Sequence, residues 1–223
     1  MDLKKYVIIV AGGSGTRMGG DIPKQFMLLN GEPVLMHTLR CFYNYNADIK
    51  IIVALPGSEI ERWEQLCREH SFTIEHRIVA GGFTRFHSVK NALELVSEKS
   101  LVAVHDGVRP LVSPKTIETC FNSAEHTGAA IPVTECYESI RRLEDDRSIT
   151  VDRNLYRMVQ TPQVFDSEIL LNAYKQPYLT LYTDDASVVE HNGHTISLVD
   201  GNRENIKITI SYDLFIAEIL LNK

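Results

Sequence analysis

The chain has 223 residues, 44% of them hydrophobic and 23% charged, with a formal net charge of −6 and an isoelectric point near 5.8. This balance describes a globular protein with one sizeable core, and its acidity excludes a surface built to follow a nucleic-acid backbone. The apolar run at 6–10 is far too short for a signal segment or for a membrane span, which needs roughly 20 residues. The expectation is therefore a cytoplasmic protein with small-molecule partners, no nucleic acid and no membrane. Cys41, Cys67, Cys120 and Cys136 form no C-x-x-C pair and read as free thiols.

Taken in order, short β-branched runs alternate with stretches of helical periodicity. A strand at 6–11 is followed by a helix at 34–45, a strand at 49–55, a helix at 59–70, a strand at 73–79 and a helix at 85–97. Strand 101–105, helix 114–126 and strand 129–133 continue the pattern, and helices 167–174 and 184–192, strands 195–199 and 205–209 and helix 212–221 complete it. This is an α/β chain, a Rossmann-like, mostly parallel twisted sheet with helices on both faces. Ser58 with Glu61 has capping-box spacing, Ser113 precedes Pro114 at a first helical position, and Ser211 opens the last helix. The runs 138–143 and 148–153 flank Glu144-Asp145-Asp146-Arg147 and read as a charged hairpin, too polar for core. It is either a solvated excursion or an arm that packs on a second subunit. No linker or repeat divides the chain, so 1–223 is expected to be one domain.

The first strand runs into Ala11-Gly12-Gly13-Ser14-Gly15-Thr16-Arg17-Met18-Gly19, followed by Pro23-Lys24-Gln25. Missing side chains let backbone N–H groups approach a phosphate. Spacing excludes two familiar loops: Met18 stands where a dinucleotide fingerprint needs glycine or alanine, and no glycine here leads to the Gly-Lys-Ser/Thr of a P-loop. What remains is a glycine turn with two cations, Arg17 and Lys24, suited to the negative charge that develops at a phosphoryl centre in its transition state.

The strand ending at His105-Asp106-Gly107-Val108-Arg109-Pro110 delivers Asp106 to its carboxyl end, where open α/β sheets bind ligands. Asp106 could hold Mg²⁺ or a substrate hydroxyl, or pair with Arg109 in a capped turn; His105 reads as structural. Gly81-Gly82-Phe83-Thr84-Arg85-Phe86-His87-Ser88 offers backbone groups and the Ser88 hydroxyl for a base edge, or an ordinary turn and cap. Lys207, among the apolar neighbours of Asn205-Ile206-Lys207-Ile208-Thr209, needs an anionic partner if it points inward and none if it lies on an exposed edge. Thr183-Asp184-Asp185-Ala186 opens a helix whose first N–H groups could take an anion, although its carboxylates oppose that. His191 and His194 flank an Asn-Gly turn and do not read as a metal pair.

These motifs, with Val151-Asp152-Arg153 and Thr161-Pro162-Gln163, resemble those of the 2-C-methyl-D-erythritol 4-phosphate cytidylyltransferases over nearly the whole chain, from Val7 to Lys223. The resemblance implies that a polyol phosphate attacks the α-phosphorus of CTP and releases pyrophosphate, with Mg²⁺ on the nucleotide phosphates. It implies Arg17, Lys24, Arg153 and Lys207 as catalytic groups. Ala11, Gly12, Gly13, Gly15, Lys24, Gly82, Ser88 and Gly107 would hold the nucleotide; Asp106, Arg109, Arg153, Thr161, Thr183 and Lys207 would hold the acceptor. It further implies a homodimer in which the arm at about 134–158 brings Arg153 to the partner's site. Three features depart from the family pattern: Phe83 in place of an acidic residue, Gly107 in place of alanine, and Ser139-Ile140-Arg141 in the arm. A ribitol 5-phosphate cytidylyltransferase and a non-catalytic nucleotide-binding regulator are the alternatives.

Overall fold

The computed structural model describes residues 3–13 and 22–222. β1 (Lys4–Val10) is followed by a small hairpin of β2 (Leu28–Leu29) and β3 (Glu32–Pro33), then by α1 (Val34–Tyr45), β4 (Lys50–Leu55), α2 (Ile60–Glu69), β5 (Arg77–Ala80) and α3 (Arg85–Leu93). The chain continues through β6 (Ser100–Asp106), α4 (Pro114–Thr127) and β7 (Ala129–Glu135), and then forms an exposed hairpin, β8 (Arg141–Glu144) with β9 (Arg147–Thr150). β10 (Arg157–Val159), β11 (Gln163–Asp166), α5 (Ser167–Ala173), α6 (Asp185–His191), β12 (Ser197–Asp200) and α7 (Ser211–Leu221) complete it.

The main sheet runs β5-β4-β1-β6-β11-β7, with β12 on one edge of β7 and β10 on the other beside β11. β1 pairs parallel to both β4 and β6, with Ile8 opposite Ile52 on one side and Val104 on the other. β10 and β11 run antiparallel to their neighbours. The fold is therefore the α/β sheet expected from the alternation, with the hairpin projecting as a separate two-stranded piece.

Strands buried on both faces explain the unbroken Tyr-Val-Ile-Ile-Val run of β1. Val7 and Ile9 face Leu39 and Phe42 of α1, Trp63 of α2 and Phe121 of α4, whereas Ile8 faces the opposite layer with Phe86 and Val89 of α3, Leu170 of α5 and Val189 of α6. Each such side chain contributes on the order of 1.5–3 kcal/mol of burial. A third cluster of Leu29, Val34, Val108, Ile208 and Ala217 seats α7 and the β2–β3 hairpin against one end of the sheet.

Several expectations change. Residues 205–209 are not a strand: Ile208 donates its N–H to the Val108 carbonyl (3.0 Å) and the Asn205 carbonyl accepts from Arg109 (2.8 Å), so the backbone is tied to the loop after β6 rather than to a ladder. Ser58 caps nothing, because it lies inside a 3₁₀ turn at Gly57–Glu59 that leads into α2. α3 stops at Leu93 and β5 begins only at Arg77. Ser113 does cap α4, its Oγ accepting the Thr116 N–H at 3.0 Å. β2, β3, β10 and β11 carry too few residues for any periodicity to register.

Candidate active site

At the carboxyl end of β1 the chain leaves the sheet between its two parallel neighbours. Ala11 donates its N–H to the Ala54 carbonyl (2.9 Å), and Gly107 donates to the Val10 carbonyl (2.9 Å). Gly12 and Gly13 follow and line an open cleft. A Cβ on Gly13 would stand 3.0 Å from Lys24 Cε and 3.6 Å from its Nζ, so the absence of a side chain is what lets the ammonium lie against the turn. Gly107 packs behind this turn, where a Cβ would meet Ala11 Cβ at 2.9 Å.

The opposite lip is the turn from β5 into α3. Ser88 Oγ accepts the Gly82 N–H (3.1 Å) and donates to the Thr84 carbonyl (3.1 Å), while Thr84 caps α3. A Cβ on Gly82 would fall 2.3 Å from His87 Cβ, so this turn closes only with glycine there.

The floor is an ion cluster. Asp106, only 7% exposed, faces three cations: Lys207 Nζ at 3.0 Å, Arg109 Nε at 3.2 Å and Arg85 Nε at 3.6 Å. Arg85 also reaches the fully buried Asp185 (2.6 Å), whose other oxygen accepts the Tyr174 hydroxyl (2.6 Å). Burial would raise the Asp106 carboxyl, but the charges of Arg85, Lys207 and Arg109 outweigh it and hold the group well below the usual carboxylate range. Burial likewise lowers Arg85 and is overcome by Asp185 and Asp106, which leaves it firmly protonated. Burial and the adjacent Asp185 together push the Tyr174 hydroxyl well upward, so it stays a donor. Arg85, Arg109 and Lys207 thus face Asp106 and Asp185, Asp184 lies on the wall of the same cleft, and Lys24 lines it as a further cation.

A neutral network fixes this floor. The Asp106 N–H donates to Thr161 Oγ1 (3.1 Å), which pairs with His105 Nδ1 (3.0 Å), while His105 Nε2 pairs with the Arg109 carbonyl (3.1 Å). Since a carbonyl only accepts, Nε2 carries the proton and the Thr161 hydroxyl donates to Nδ1. Burial pushes His105 down to about 4, consistent with a neutral ring. Gln163 donates to Asp184 (2.8 Å) and accepts the Ala186 N–H (2.8 Å), locking the start of α6 beside the cluster. Asn205 donates to the Thr161 carbonyl (2.8 Å).

Two adjoining hollows result. One, of ≈ 250 Å³, lies over Gly12, Gly13, Lys24 and Ser88; the other, of ≈ 220 Å³, lies over Arg109, Thr161 and Thr183. Arg85, Asp106 and Lys207 belong to both. Of the residues singled out from the sequence, Ala11, Gly12, Gly13, Lys24, Gly82, Ser88, Asp106, Arg109, Thr161, Thr183 and Lys207 therefore line one connected cleft. Gly15 and Arg17 lie outside the described residues. Arg153 is not brought to this cleft by its own chain: it sits at the base of the arm and donates to the Tyr137 carbonyl.

Asp106, read from the sequence as a possible Mg²⁺ ligand or as the partner of Arg109, does pair with Arg109 and faces Arg85 and Lys207 as well. Lys207 reaches Asp106 with a side chain that stays 42% exposed, and does so from an irregular segment and not from a strand. Sequence reasoning set Arg85, Asp185 and Gln163 inside motifs without giving them roles. The carboxylate pair at 184–185 was the available signal, since a buried Asp demands a cationic partner.

The family model for 2-C-methyl-D-erythritol 4-phosphate cytidylyltransferase matches residues 5–223. The chain is 53% identical over 219 residues to the 2-C-methyl-D-erythritol 4-phosphate cytidylyltransferase of Bacteroides thetaiotaomicron, covering 98% of this chain and 100% of the relative. It is 52% identical over 222 residues to the protein so named from Porphyromonas gingivalis, covering 99% of each. Among solved structures it is similar to the 2-C-methyl-D-erythritol 4-phosphate cytidylyltransferase of Thermus thermophilus, with TM-score 0.79, 31% identity and 100% coverage of both chains. It is also similar to the 4-diphosphocytidyl-2C-methyl-D-erythritol synthase of Anaerococcus prevotii, with TM-score 0.84, 26% identity and coverage of 99% and 97%.

Proposed function

The chain belongs to the 2-C-methyl-D-erythritol 4-phosphate cytidylyltransferase family, and from that premise we propose how its cleft divides the joining of CTP to a polyol phosphate. The protein is a nucleotidyltransferase of isoprenoid-precursor synthesis with CTP as a substrate; it forms 4-diphosphocytidyl-2-C-methyl-D-erythritol and pyrophosphate. A phosphate oxygen of the acceptor bonds to the α-phosphorus of CTP as the bond from that phosphorus to the bridging oxygen breaks, and the electron pair leaves with pyrophosphate. No side-chain nucleophile is needed, so the chain's task is alignment and charge neutralisation.

In this reading the hollow over Gly12, Gly13, Lys24, Gly82 and Ser88 takes the nucleotide, and the hollow over Asp106, Arg109, Thr161 and Thr183 takes the acceptor. The observation that carries it is their common wall, where Lys207 and Arg85 stand beside both. Lys24 and Lys207 would neutralise the reacting phosphorus from opposite sides, with Arg17 as a third cation, while Asp106 keeps Lys207 and Arg109 oriented. Backbone N–H groups of the glycine turn would donate to the triphosphate oxygens, and Gly107 would set the shape of that turn from behind.

Mg²⁺ would travel on the triphosphate. Asp106 is the one carboxylate among the described residues of the larger hollow, and its oxygens are already engaged by cations. In the adjoining hollow Asp184 accepts from Gln163 and from the Ser187 N–H, so the described residues do not fit a protein-held metal, and no step is assigned to one. The arm supports a homodimer through its apolar exposure, with Leu143 82% and Leu155 81% exposed; Arg153 would then enter the partner's cleft. Four unpaired cysteines agree with a cytoplasmic setting.

Pyrophosphate release on mixing the protein with CTP, Mg²⁺ and 2-C-methyl-D-erythritol 4-phosphate tests the activity, and a preference for ribitol 5-phosphate would replace the acceptor. For the shared site, chains carrying Lys24→Ala and chains carrying Arg153→Ala should be inactive alone and regain activity when mixed. No recovery despite demonstrated subunit exchange would confine the site to one chain.

A further inference from the structure

Phe83 and Phe86 lie three residues apart where β5 passes into α3, and their fates differ completely. Phe86 turns into the core and stacks on Tyr174, with ring centroids 4.7 Å apart. Phe83 has a relative exposure of 103%, the highest of the large hydrophobic side chains among the described residues, and lines the same hollow as Gly12, Gly13 and Lys24. Single exposed apolar side chains are ordinary. The position of this one is not, because the residues on either side are fixed.

Gly82 is held through its N–H by Ser88 and has no room for a side chain, and Thr84 is committed to capping α3 through the His87 N–H. The backbone therefore presents the ring at the mouth of the cleft and gives it no cavity of its own. Across the hollow stand Gly12 and Gly13, which bring no side chains. The cations on the wall of this hollow, Lys24, Arg85 and Lys207, suit the phosphates of a nucleotide, and the exposed Phe83 ring is left for its flat, uncharged part. A nucleobase laid on an aromatic ring gains about 1–3 kcal/mol, whichever base it is.

We propose that the Phe83 ring stacks on the pyrimidine of the bound nucleotide and supplies a base contact separate from the contacts to the triphosphate. The inference rests on assigning this hollow to the nucleotide. It makes Phe83 a determinant of how tightly a nucleoside is held and leaves the choice between bases to hydrogen-bonding groups.

Calorimetric titration of CTP and of inorganic tripolyphosphate into the full-length protein and into Phe83→Ala and Phe83→Tyr tests this. Phe83→Ala should weaken CTP by about tenfold, a magnitude within the range for losing one stacked ring, and leave tripolyphosphate within about twofold; Phe83→Tyr should hold CTP near the parent value. The KM for CTP should rise with kcat little changed, the pattern of lost uniform binding. Equal weakening of CTP and tripolyphosphate, or undiminished CTP binding by Phe83→Ala, overturns the stacking role. Failure of the parent protein to bind CTP overturns the assignment of the hollow itself, and so separates the two readings.

Discussion

The two sides of the cleft are built from different materials. The side at Gly12, Gly13 and Gly82 is backbone, shaped by side chains that are absent, with Lys24 lying against it. The side at Asp106 is side chain throughout, an interlocked set of Arg85, Arg109, Lys207 and Asp185 resting on Thr161, His105 and Asn205. The first can be altered at one residue without exposing a buried charge. The second cannot, since each buried ion there depends on its partners. Rate and stability should therefore separate along this line.

The sharpest way to break the contrast is Asp185→Ala. It leaves the Tyr174 hydroxyl without its acceptor and Arg85 with one anion fewer, and should cost about 3–5 kcal/mol, the range for removing one member of a buried pair. Urea unfolding measures this directly, and a loss under about 1 kcal/mol would mean that the cluster is not a structural unit.

Acid should act on the same side. His105 is held neutral with its value pushed down to about 4 from 6.5, so the unfolded chain takes up a proton that the folded chain refuses. Its stabilisation is complete above the unfolded value and is lost as pH falls from 6.5 toward 4, amounting to about 3 kcal/mol. Asp106, held below the usual range, loses its own contribution only at still lower pH. In His105→Gln the fall in unfolding midpoint between pH 6.5 and 4 should be visibly shallower than in the parent; an unchanged slope would show that the ring is not the responsible group.

Lys24→Ala tests the other side. Turnover should drop by at least about a hundredfold, equivalent to about 2.7 kcal/mol, as when one preorganised donor to a developing charge is lost. The unfolding free energy should move by less than that, because Lys24 is only half-buried, on the wall of an open cleft. Comparable losses of rate and stability would erase the distinction between the two sides.

Much of this was legible before any coordinates. β1, β4, β6 and β7 are apolar over consecutive residues because both faces are covered, and α1 and α4 repeat at helical spacing because only one face is. The glycine turn is legible because its parts are local: Gly12, Gly13 and Lys24 come together within a short stretch of chain. β10 and β11 escaped notice because strands of three and four residues have no period to detect, and because their pairing is decided by β6 and β7 far away in the chain. The segment at 205–209 misled for the opposite reason. Its Ile-Lys-Ile alternation matches a strand, but its inward residues serve the third core cluster and the ion floor instead.

The sequence by itself determined the layers of the fold, the glycine turn after β1 and the family to which both belong, because each rests on residues close enough in the chain to constrain one another. The tertiary structure decided the partners of Asp106, the contact that Lys207 makes with it and the pairing of Arg85 with Asp185. A buried charge is defined by what surrounds it, and here residues 85, 106, 109, 185 and 207 meet only when the sheet and its helices have closed.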